Sequence, residues 1–313
     1  MANEIPVVDF SSFNTDENFD ETKPEINKLA KEIYDAFTTI GFVYIKNHDI
    51  PESEISGLFE TGGKFFKLPS EEKNKFARKS NSKNHGYVGV GVEVLDTSKP
   101  TDYKEAFNVT EPFNNEIPWP GGECSNFQTT VSSFFQTCEK LSLGILDLIA
   151  LGLKLEDGKL FRRTHAKFGR IENKTTLRLL YYPVMTELKK GQIRLGEHSD
   201  YGTITLLFQD QIGGLQVVSQ KEGFIPATPI EGTILVNIGD LLQRWTNDKL
   251  VSTKHRVVVP GDDDLRRLSP RQSVAFFVQP DNDVIIECLD GSAHYPPITS
   301  LDYLNQRLNA TYY

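Results

Sequence analysis

The chain has few cysteines, and their spacing argues against several common classes of protein. Only three occur in 313 residues, at Cys124, Cys138 and Cys288. No two of them have the spacing of a disulfide framework or of a sulfur-ligated zinc site. Because disulfides are rare in the reducing cytosol, these sparse thiols indicate an intracellular, cytoplasmic protein.

The sequence also lacks the segments typical of secreted, membrane-spanning or nucleic-acid-binding proteins. Residues 1–6 have neither the charged nor the apolar region of a signal peptide. The nearest candidate for a membrane span, residues 141–153, is too short to cross a bilayer and contains Asp147. The formal net charge is −9 and no basic stripe is present, which argues against a nucleic-acid partner. We therefore expect a monomer that acts on a small molecule, without a membrane or a partner protein.

Helical spacing of apolar residues dominates the first half of the chain, and short β-rich runs dominate the second. Residues 24–40 carry apolar side chains at helical spacing, and Gly41 is a natural end. The same reasoning predicts helices at 51–66, 70–76, 127–153 (broken by Gly144 and Gly152) and 301–308. The glycine-rich residues 81–92 show no steady period, which predicts a loop. From residue 175 onward, β-rich runs with turn signals indicate an antiparallel barrel or sandwich.

This order predicts one compact unit with four regions. They are a mixed helical and strand region (1–120), a long helix with its connector (121–174), a β-rich core (175–290) and a C-terminal helix (291–313).

Two histidines and an aspartate in the second half have the composition of a metal-ligand set. His198 and Asp200 lead into the β-branched and apolar run at residues 203–208. In a β-strand, residues two apart point to the same face, so both side chains would reach one metal ion. His255 lies in a second predicted strand and would supply a third ligand. Two imidazoles and one carboxylate are the ligands of a non-haem Fe(II) site with positions left open for oxygen and an organic acid.

An arginine and a serine near the end of the β-rich part suggest an acid-binding site. Arg271 and Ser273 begin a predicted strand, and on one face of it they are followed by Ala275, Phe277 and Gln279. A guanidinium pairs with both oxygens of a carboxylate, which is what the far end of a small dicarboxylate requires.

Each of these parts has an ordinary explanation when it is taken alone. An isolated His-x-Asp pattern is more often a surface turn than a metal site. His255 could be an imidazole satisfied by backbone groups at a strand end. Arg271 could be a solvated charge, which is the usual fate of arginine. The combination is what favours oxidative chemistry.

In its longer motifs the chain resembles the Fe(II)- and 2-oxoglutarate-dependent dioxygenases, in the subgroup of isopenicillin N synthase, the plant flavonoid and gibberellin oxidases and the fungal thymine hydroxylases. The resemblance covers nearly the whole chain. Besides the His198 and Arg271 segments, it rests on Ile5-Pro-Val-Val-Asp-Phe10, Gly41-Phe-Val-Tyr-Ile-Lys-Asn-His48, Asp102-Tyr-Lys-Glu-Ala-Phe107, Leu177-Arg-Leu-Leu-Tyr-Tyr-Pro183, Gly213-Gly-Leu-Gln-Val217 and Asn237-Ile-Gly-Asp240.

The resemblance implies a mainly β fold with flanking helices, namely a distorted double-stranded β-helix (jelly roll) core with an N-terminal helical region. It implies that His198, Asp200 and His255 hold iron, and that Arg271 and Ser273 bind the distal carboxylate of 2-oxoglutarate. Tyr182 would lie beside the same cosubstrate. O2 would be the second cosubstrate and ascorbate a reductant. The implied reaction oxidises a C–H bond, usually by hydroxylation, and releases succinate and CO2.

The chain departs from its relatives at two places. Leu180 stands where many relatives have asparagine, which removes one polar contact. The stretch from His255 to Arg271 is longer than in the plant enzymes, and we expect the extra residues in a charged hairpin loop at 260–270. Neither departure affects the proposed iron ligands.

Three residues are candidates for substrate contact. Arg178 shares a predicted strand face with Tyr182, and it would either bind a substrate acceptor or form a salt bridge to an acidic neighbour. Phe277 could stack on a planar ring or belong to the core. His85, in the predicted loop, could touch substrate or be exposed. With residues 85–107 expected at the entrance, these positions favour a compact planar substrate such as a pyrimidine base.

Three other functions are compatible with parts of the pattern. The first is an iron-dependent oxidase of the same fold that does not use 2-oxoglutarate, as in isopenicillin N synthase. The second is a non-catalytic ligand-binding protein. The third is a zinc hydrolase, because zinc also accepts two histidines and a carboxylate, although that function leaves Arg271 and Ser273 unexplained.

Overall fold

A large β-sheet runs through the structure, and helices pack on one of its faces. The computed structural model describes residues 5–14, 20–79, 84–93, 102–184, 193–259 and 265–312. Over these residues the fold is mainly sheet with helices, as the sequence predicts. No helix in these ranges combines the length and the apolar character needed to span a bilayer.

The described residues form seven α-helices and fourteen β-strands. The helices are α1 (Pro24–Thr39), α2 (Glu52–Phe66), α3 (Ser70–Asn74), α4 (Phe127–Leu153), α5 (Leu160–Thr164), α6 (Asp240–Trp245) and α7 (Ser300–Tyr312). The strands are β1 (Val7–Asp9), β2 (Phe42–Lys46), β3 (Gly86–Val88), β4 (Glu105–Val109), β5 (Thr176–Tyr182), β6 (Leu195–His198), β7 (Ile204–Gln209), β8 (Leu215–Ser219), β9 (Gly223–Pro226), β10 (Thr233–Ile238), β11 (His255–Val257), β12 (Arg271–Phe277), β13 (Ile285–Ile286) and β14 (Ile298–Thr299).

The strands form a large sheet, a smaller sheet and a short pair. The large sheet has the order β1-β2-β10-β7-β12-β5-β4-β3, and the smaller one the order β6-β11-β8-β9. Strands β13 and β14 pair with each other. The first four strands all belong to the large sheet, so the N-terminal region extends the β-rich core.

Alternation along β12 separates the core from the inner face of the large sheet. Val274 and Phe276 belong to the main hydrophobic cluster, in which the Phe276 ring lies 4.9 Å from that of Phe135 on α4. The intervening Ala275 and Phe277 belong to a separate small cluster. Because successive residues of a strand point to opposite faces, one apolar strand both anchors the helices and lines an interior site.

Two predictions about local structure are wrong. Helix α4 continues unbroken through Gly144, where a Cβ would lie 2.5 Å from the ring of Phe13. The glycine therefore permits a close approach instead of ending the helix. The predicted loop at 81–92 contains strand β3, which pairs with β4. Tertiary pairing overrides the weak strand preference of this segment.

Parts of three predicted loops lie outside the described residues. They are 81–83 of the glycine-rich loop, 94–101 of the expected entrance and 260–264 of the loop expected before Arg271. The described end of the loop before Arg271, Leu265–Leu268, is a 3-10 helix.

Candidate metal centre and adjoining cavity

Three potential ligand atoms converge beside the inner face of the smaller sheet. His198, Asp200 and His255 each offer one ligand atom, and these atoms lie within 4.8 Å of one another. The Nε2 atoms of His198 and His255 are 3.8 Å and 3.7 Å from Oδ1 of Asp200. A separation of this size is what three ligands around one ion require. The structure thus brings together the three residues that the sequence singled out.

Strand pairing, more than strand alternation, produces this convergence. His198 is the last residue of β6, and Asp200 follows in the turn that leads to β7. The expectation that both lie on one strand is therefore wrong. His255 begins β11 directly opposite His198, and the two ring centroids are 4.3 Å apart. An antiparallel pair places facing side chains close together, which brings the distant histidine to the site.

Backbone carbonyls orient both imidazoles. Nδ1 of His198 lies 2.8 Å from the carbonyl oxygen of Gly196, and Nδ1 of His255 lies 3.1 Å from that of Thr253. A carbonyl can only accept, so Nδ1 carries the proton and the Nε2 lone pair faces Asp200. Burial, with the neighbouring His255 adding to it, lowers the pKa of His198 to about 3. His198 is therefore neutral at physiological pH, as a metal ligand must be.

The carboxylate of Asp200 is held by two further side chains. Its Oδ2 accepts hydrogen bonds from the Thr205 hydroxyl at 2.6 Å and from the Asn237 amide at 2.8 Å. Burial opposes the negative charge, but the two imidazoles and these hydrogen bonds outweigh it and lower the pKa of Asp200. Oδ1 is left to face the histidines. Sequence reasoning missed Thr205, although its place on the strand after the His-x-Asp pattern was a usable signal.

Arg271 lies buried at the start of β12. Its side chain donates to the Ser273 hydroxyl at 3.1 Å and to Oε1 of Gln209 at 3.0 Å. The guanidinium carbon is 4.9 Å from the ring centroid of Tyr182, its neighbour across the β12–β5 pair. Nε has no hydrogen-bond partner among the described residues. The three residues assigned to cosubstrate binding are thus in contact, and an unmet donor remains.

A cavity of about 370 Å³ opens directly beside the metal-ligand residues. His198 and Asp200 form part of its wall, together with Tyr201, Phe277 and Gln279. Oε1 of Gln279 is buried and has no hydrogen-bond partner within the described ranges. The cavity therefore combines aromatic surface with a polar amide next to the metal centre, and it is large enough for a small organic molecule.

Arg178 faces this cavity and also forms a salt bridge. Its Nη2 donates to Oε2 of Glu93. Nζ of Lys104 lies 3.6 Å from the same oxygen, and Nη1 of Arg78 lies 3.5 Å from Oε1 of Glu93. Burial alone would raise the pKa of Glu93, but the positive charges of Arg178, Lys104 and Arg78 hold it at about 2. The salt bridge that the sequence offered as one alternative for Arg178 is therefore present. All four charged residues line the cavity wall.

His85 does not line the cavity. Its ring packs edge-on against Trp119, with centroids 4.8 Å apart, and against Phe107 at 5.7 Å. Both ring nitrogens are buried without a hydrogen-bond partner in the described part of the chain, and burial lowers the pKa of His85 to about 4. Its assignments as a substrate contact and as an exposed loop residue are corrected, because an aromatic cluster encloses the ring.

Helix α7 forms one wall of the cavity, which the sequence did not predict. Leu301, Leu304 and Leu308 line the space. Arg307, on the same helix, pairs with Asp240 at 2.8 Å, and its guanidinium carbon lies 4.9 Å from the ring centroid of Tyr201. These contacts join the C-terminal helix to the loop that carries Asp200.

Comparisons with known proteins identify the class to which this fold and site belong. Residues 5–129 match the family described as non-haem dioxygenase in morphine synthesis N-terminal, and residues 173–280 match the 2OG-Fe(II) oxygenase superfamily. A proline hydroxylase, buaE, of Petromyces alliaceus is 33% identical, with 99% of this chain and 100% of the relative covered. The 2-oxoglutarate-dependent dioxygenase htyE of Aspergillus rugulosus is 32% identical, with 98% of this chain and 99% of the relative covered.

A solved structure agrees over the full length. A thymine 7-hydroxylase-like enzyme of Neurospora crassa, in complex with alpha-KG (2-oxoglutarate) and thymine, is 38% identical, with 99% of each chain covered and a TM-score of 0.86. The same enzyme has also been solved with alpha-KG and 5-formyluracil.

The chain belongs to the 2OG-Fe(II) oxygenase superfamily. It is a 2-oxoglutarate- and Fe(II)-dependent dioxygenase that uses O2, so the predictions of enzyme class and of these cofactors are confirmed. The use of ascorbate, the monomeric state, the cytoplasmic location and the four regional boundaries stay predictions.

Proposed function

We propose that His198, Asp200 and His255 bind the Fe(II) of this enzyme. The observation that carries the proposal is the convergence of two Nε2 atoms and one carboxylate oxygen within 4.8 Å. Each histidine is held in the tautomer that leaves Nε2 unprotonated. Nitrogen and oxygen donors of this kind suit Fe(II) and leave coordination positions open. With iron, 2-oxoglutarate and O2 bound, the centre supplies C–H oxidation, most often hydroxylation, with release of succinate and CO2.

Arg271, Ser273 and Tyr182 bind the distal carboxylate of 2-oxoglutarate in this proposal. Arg271 is 1% exposed and keeps an unmet Nε donor, so an anionic acceptor would offset the cost of burying its charge. Ser273 and Gln209 fix the plane of the guanidinium. Their hydrogen bonds orient it before the acid arrives, which reduces the entropy lost on binding.

The two sheets are best interpreted as the double-stranded β-helix of this superfamily. Strands β5 and β12 of the large sheet carry Tyr182 and Arg271, while β6 and β11 of the smaller sheet carry His198 and His255. A jelly roll brings the inner faces of two sheets around one cavity, so side chains from both can serve a single reaction.

The substrate in this proposal is a small planar heterocycle, such as a pyrimidine base. Phe277 presents an aromatic ring to the cavity, and Gln279 a buried amide oxygen that can accept from a ring N–H. Arg178 stands on the same wall as a donor to carbonyl groups. The Neurospora crassa structures with thymine and 5-formyluracil support this class of substrate.

The first experiment tests the iron and cosubstrate sites without any substrate. Apo-protein is titrated anaerobically with Fe(II) and then with 2-oxoglutarate, while the visible charge-transfer band is recorded. Wild type should show a band that needs both components, and His198→Ala should bind no iron. Arg271→Ala should bind iron but require much more 2-oxoglutarate, whereas Arg244→Ala, on α6, should behave as wild type. A normal titration of Arg271→Ala would contradict its role.

The second experiment tests the substrate. Succinate release is measured with thymine, uracil, 5-formyluracil and free proline, the last because a relative is named a proline hydroxylase. Pyrimidine-dependent release that falls at least about tenfold in Phe277→Ala and stays low in Phe277→Leu supports stacking, because leucine restores apolar volume but not the aromatic ring. Release with proline and not with pyrimidines would overturn the heterocycle proposal and leave the iron chemistry intact.

A further inference from the structure

We propose that Arg194 is a second guanidinium for the distal carboxylate of 2-oxoglutarate, beside Arg271. The inference rests on the proposed function, because it concerns the same cosubstrate. It assigns a role to a residue that neither the sequence pattern nor the comparisons single out.

Arg194 is fully buried and largely unsatisfied. Its relative exposure is 0%, as low as that of any apolar core residue. Nη2 donates to the carbonyl oxygen of Ser269 at a long 3.3 Å. Nε and Nη1 have no hydrogen-bond partner among the described residues. A buried guanidinium with unmet donors is costly unless an acceptor reaches it, and a carboxylate is the acceptor that its fork fits best.

The position of Arg194 brings its charge to the Arg271 site. Its backbone N–H donates to the carbonyl oxygen of Val257 at 3.0 Å, which fixes it at the end of the β6–β11 pair. Its Nη2 contact, Ser269, lies two residues before Arg271. Burial lowers the pKa of Arg194, and the positive charge of Arg271 lowers it further. Two like charges are therefore buried near each other, on the side of the barrel where Tyr182 stacks on Arg271.

The charged groups that the structure describes around Arg194 and Arg271 carry an excess positive charge. Within the described ranges, the side-chain hydrogen bonds of Arg194 and Arg271 go to the carbonyl oxygen of Ser269, the hydroxyl of Ser273 and the amide oxygen of Gln209, and none goes to a carboxylate. Asp210 is the nearby acid, and it interacts with both arginines at longer range. Its own oxygens accept the backbone N–H groups of Gln272 and Ile212. Among the described residues, the two guanidinium charges are thus matched by this one carboxylate, which leaves a net charge of +1 that the distal carboxylate of 2-oxoglutarate would neutralise.

The test compares two ligands that differ only at the distal end. Binding of 2-oxoglutarate and of 2-oxopentanoate, which has a methyl group in place of the distal carboxylate, is measured by anaerobic calorimetry on the Fe(II)-loaded enzyme. In Arg194→Gln, 2-oxoglutarate should bind about tenfold to a hundredfold more weakly, while 2-oxopentanoate changes less than about twofold. Arg194→Lys keeps the buried charge and should restore part of the preference for 2-oxoglutarate. Arg244→Gln, which removes a partly buried arginine elsewhere, should alter neither ligand.

The outcomes separate this inference from the proposed function. If Arg194 had only a structural role, Arg194→Gln would weaken the binding of both ligands equally. Arg194→Lys would then show the same ratio of the two affinities as Arg194→Gln. That result, or unchanged 2-oxoglutarate affinity in Arg194→Gln, would overturn the inference while wild-type binding upholds the proposed function. Failure of wild type to prefer 2-oxoglutarate over 2-oxopentanoate would instead overturn the cosubstrate site as a whole.

Discussion

Asn237 donates a hydrogen bond of 2.8 Å from its side-chain amide to Oδ2 of Asp200. The bond links β10 of the large sheet to the turn after β6, so it holds the carboxylate with Oδ1 towards the two histidines. Partners of this kind set the orientation of a metal ligand and hence its affinity.

Replacing Asn237 should therefore weaken iron binding without removing a ligand. We expect Asn237→Ala to raise the Fe(II) dissociation constant about 10- to 100-fold. Anaerobic competition with a chelator of known affinity measures the change. Thr205→Val, which removes the other hydrogen bond to Oδ2, should act in the same direction. Unchanged affinity in both variants would show that Asp200 is oriented by the backbone alone.

Glu93 should stabilise the fold only above acidic pH. Its pKa is held at about 2, below the ordinary value of 4.5, so the ionised form is favoured in the folded state. The contribution is fully present above about pH 4.5 and is lost as the pH falls towards 2. Glu93→Gln should lower the free energy of unfolding at pH 7 by about 3 kcal/mol and by less at pH 3.5, measured by urea denaturation. Glu60→Gln, which breaks an exposed pair with Lys64, should have little effect at either pH.

His85 should destabilise the protein in mild acid. Its pKa of about 4 lies below the ordinary 6.5, so the unfolded chain takes up a proton that the folded chain does not. Stability from this residue is complete above pH 6.5 and declines between pH 6.5 and 4. The free energy of unfolding of His85→Phe, taken relative to wild type, should be about 1–2 kcal/mol higher at pH 5 than at pH 8. Because His85 lies outside the cavity, turnover should be unchanged, and a large loss would reinstate it as a substrate contact.

Two glycines inside helices should respond in opposite directions to alanine. At Gly144 a Cβ would meet the Phe13 ring at 2.5 Å, so Gly144→Ala should destabilise the protein by about 1–3 kcal/mol. At Gly57 nothing lies within 4 Å, so Gly57→Ala should stabilise it by up to about 1 kcal/mol. Thermal unfolding of both variants checks the sign. If the two variants shifted the unfolding temperature equally, the packing of α4 against Phe13 would have to accommodate the added methyl group without loss of stability.

Loosening α7 should weaken substrate binding more than cosubstrate binding. Arg307→Gln removes the ion pair with Asp240, and with it the charge over the Tyr201 ring. We expect KM for the organic substrate to rise several-fold, while the affinity for 2-oxoglutarate stays nearly constant, because Leu304 and Leu308 line the cavity. Arg163→Gln, in an exposed pair with Asp157, is the matched control. Equal losses for substrate and cosubstrate would indicate a general disturbance of the site.

Periodicity in the sequence was enough to predict the parts of the fold that depend on local structure. The spacing of Ile26, Leu29 and Ile33 predicted α1, and the alternation that begins at Arg271 correctly placed Ser273 beside it on β12. The same local reasoning failed at Gly144, because the reason for that glycine is the ring of Phe13, far away in the chain.

By itself the sequence determined the chemistry that is available: two imidazoles, a carboxylate, and an arginine with its serine. Only the tertiary structure decided that His255 faces His198 across a strand pair, that Glu93 gathers three cations, and that α7 lines the cavity. It also decided that Arg194 is buried with unmet donors. Side-chain periodicity is a local property of the backbone, whereas strand pairing and the burial of charge depend on segments that are distant in sequence and meet only in the folded chain.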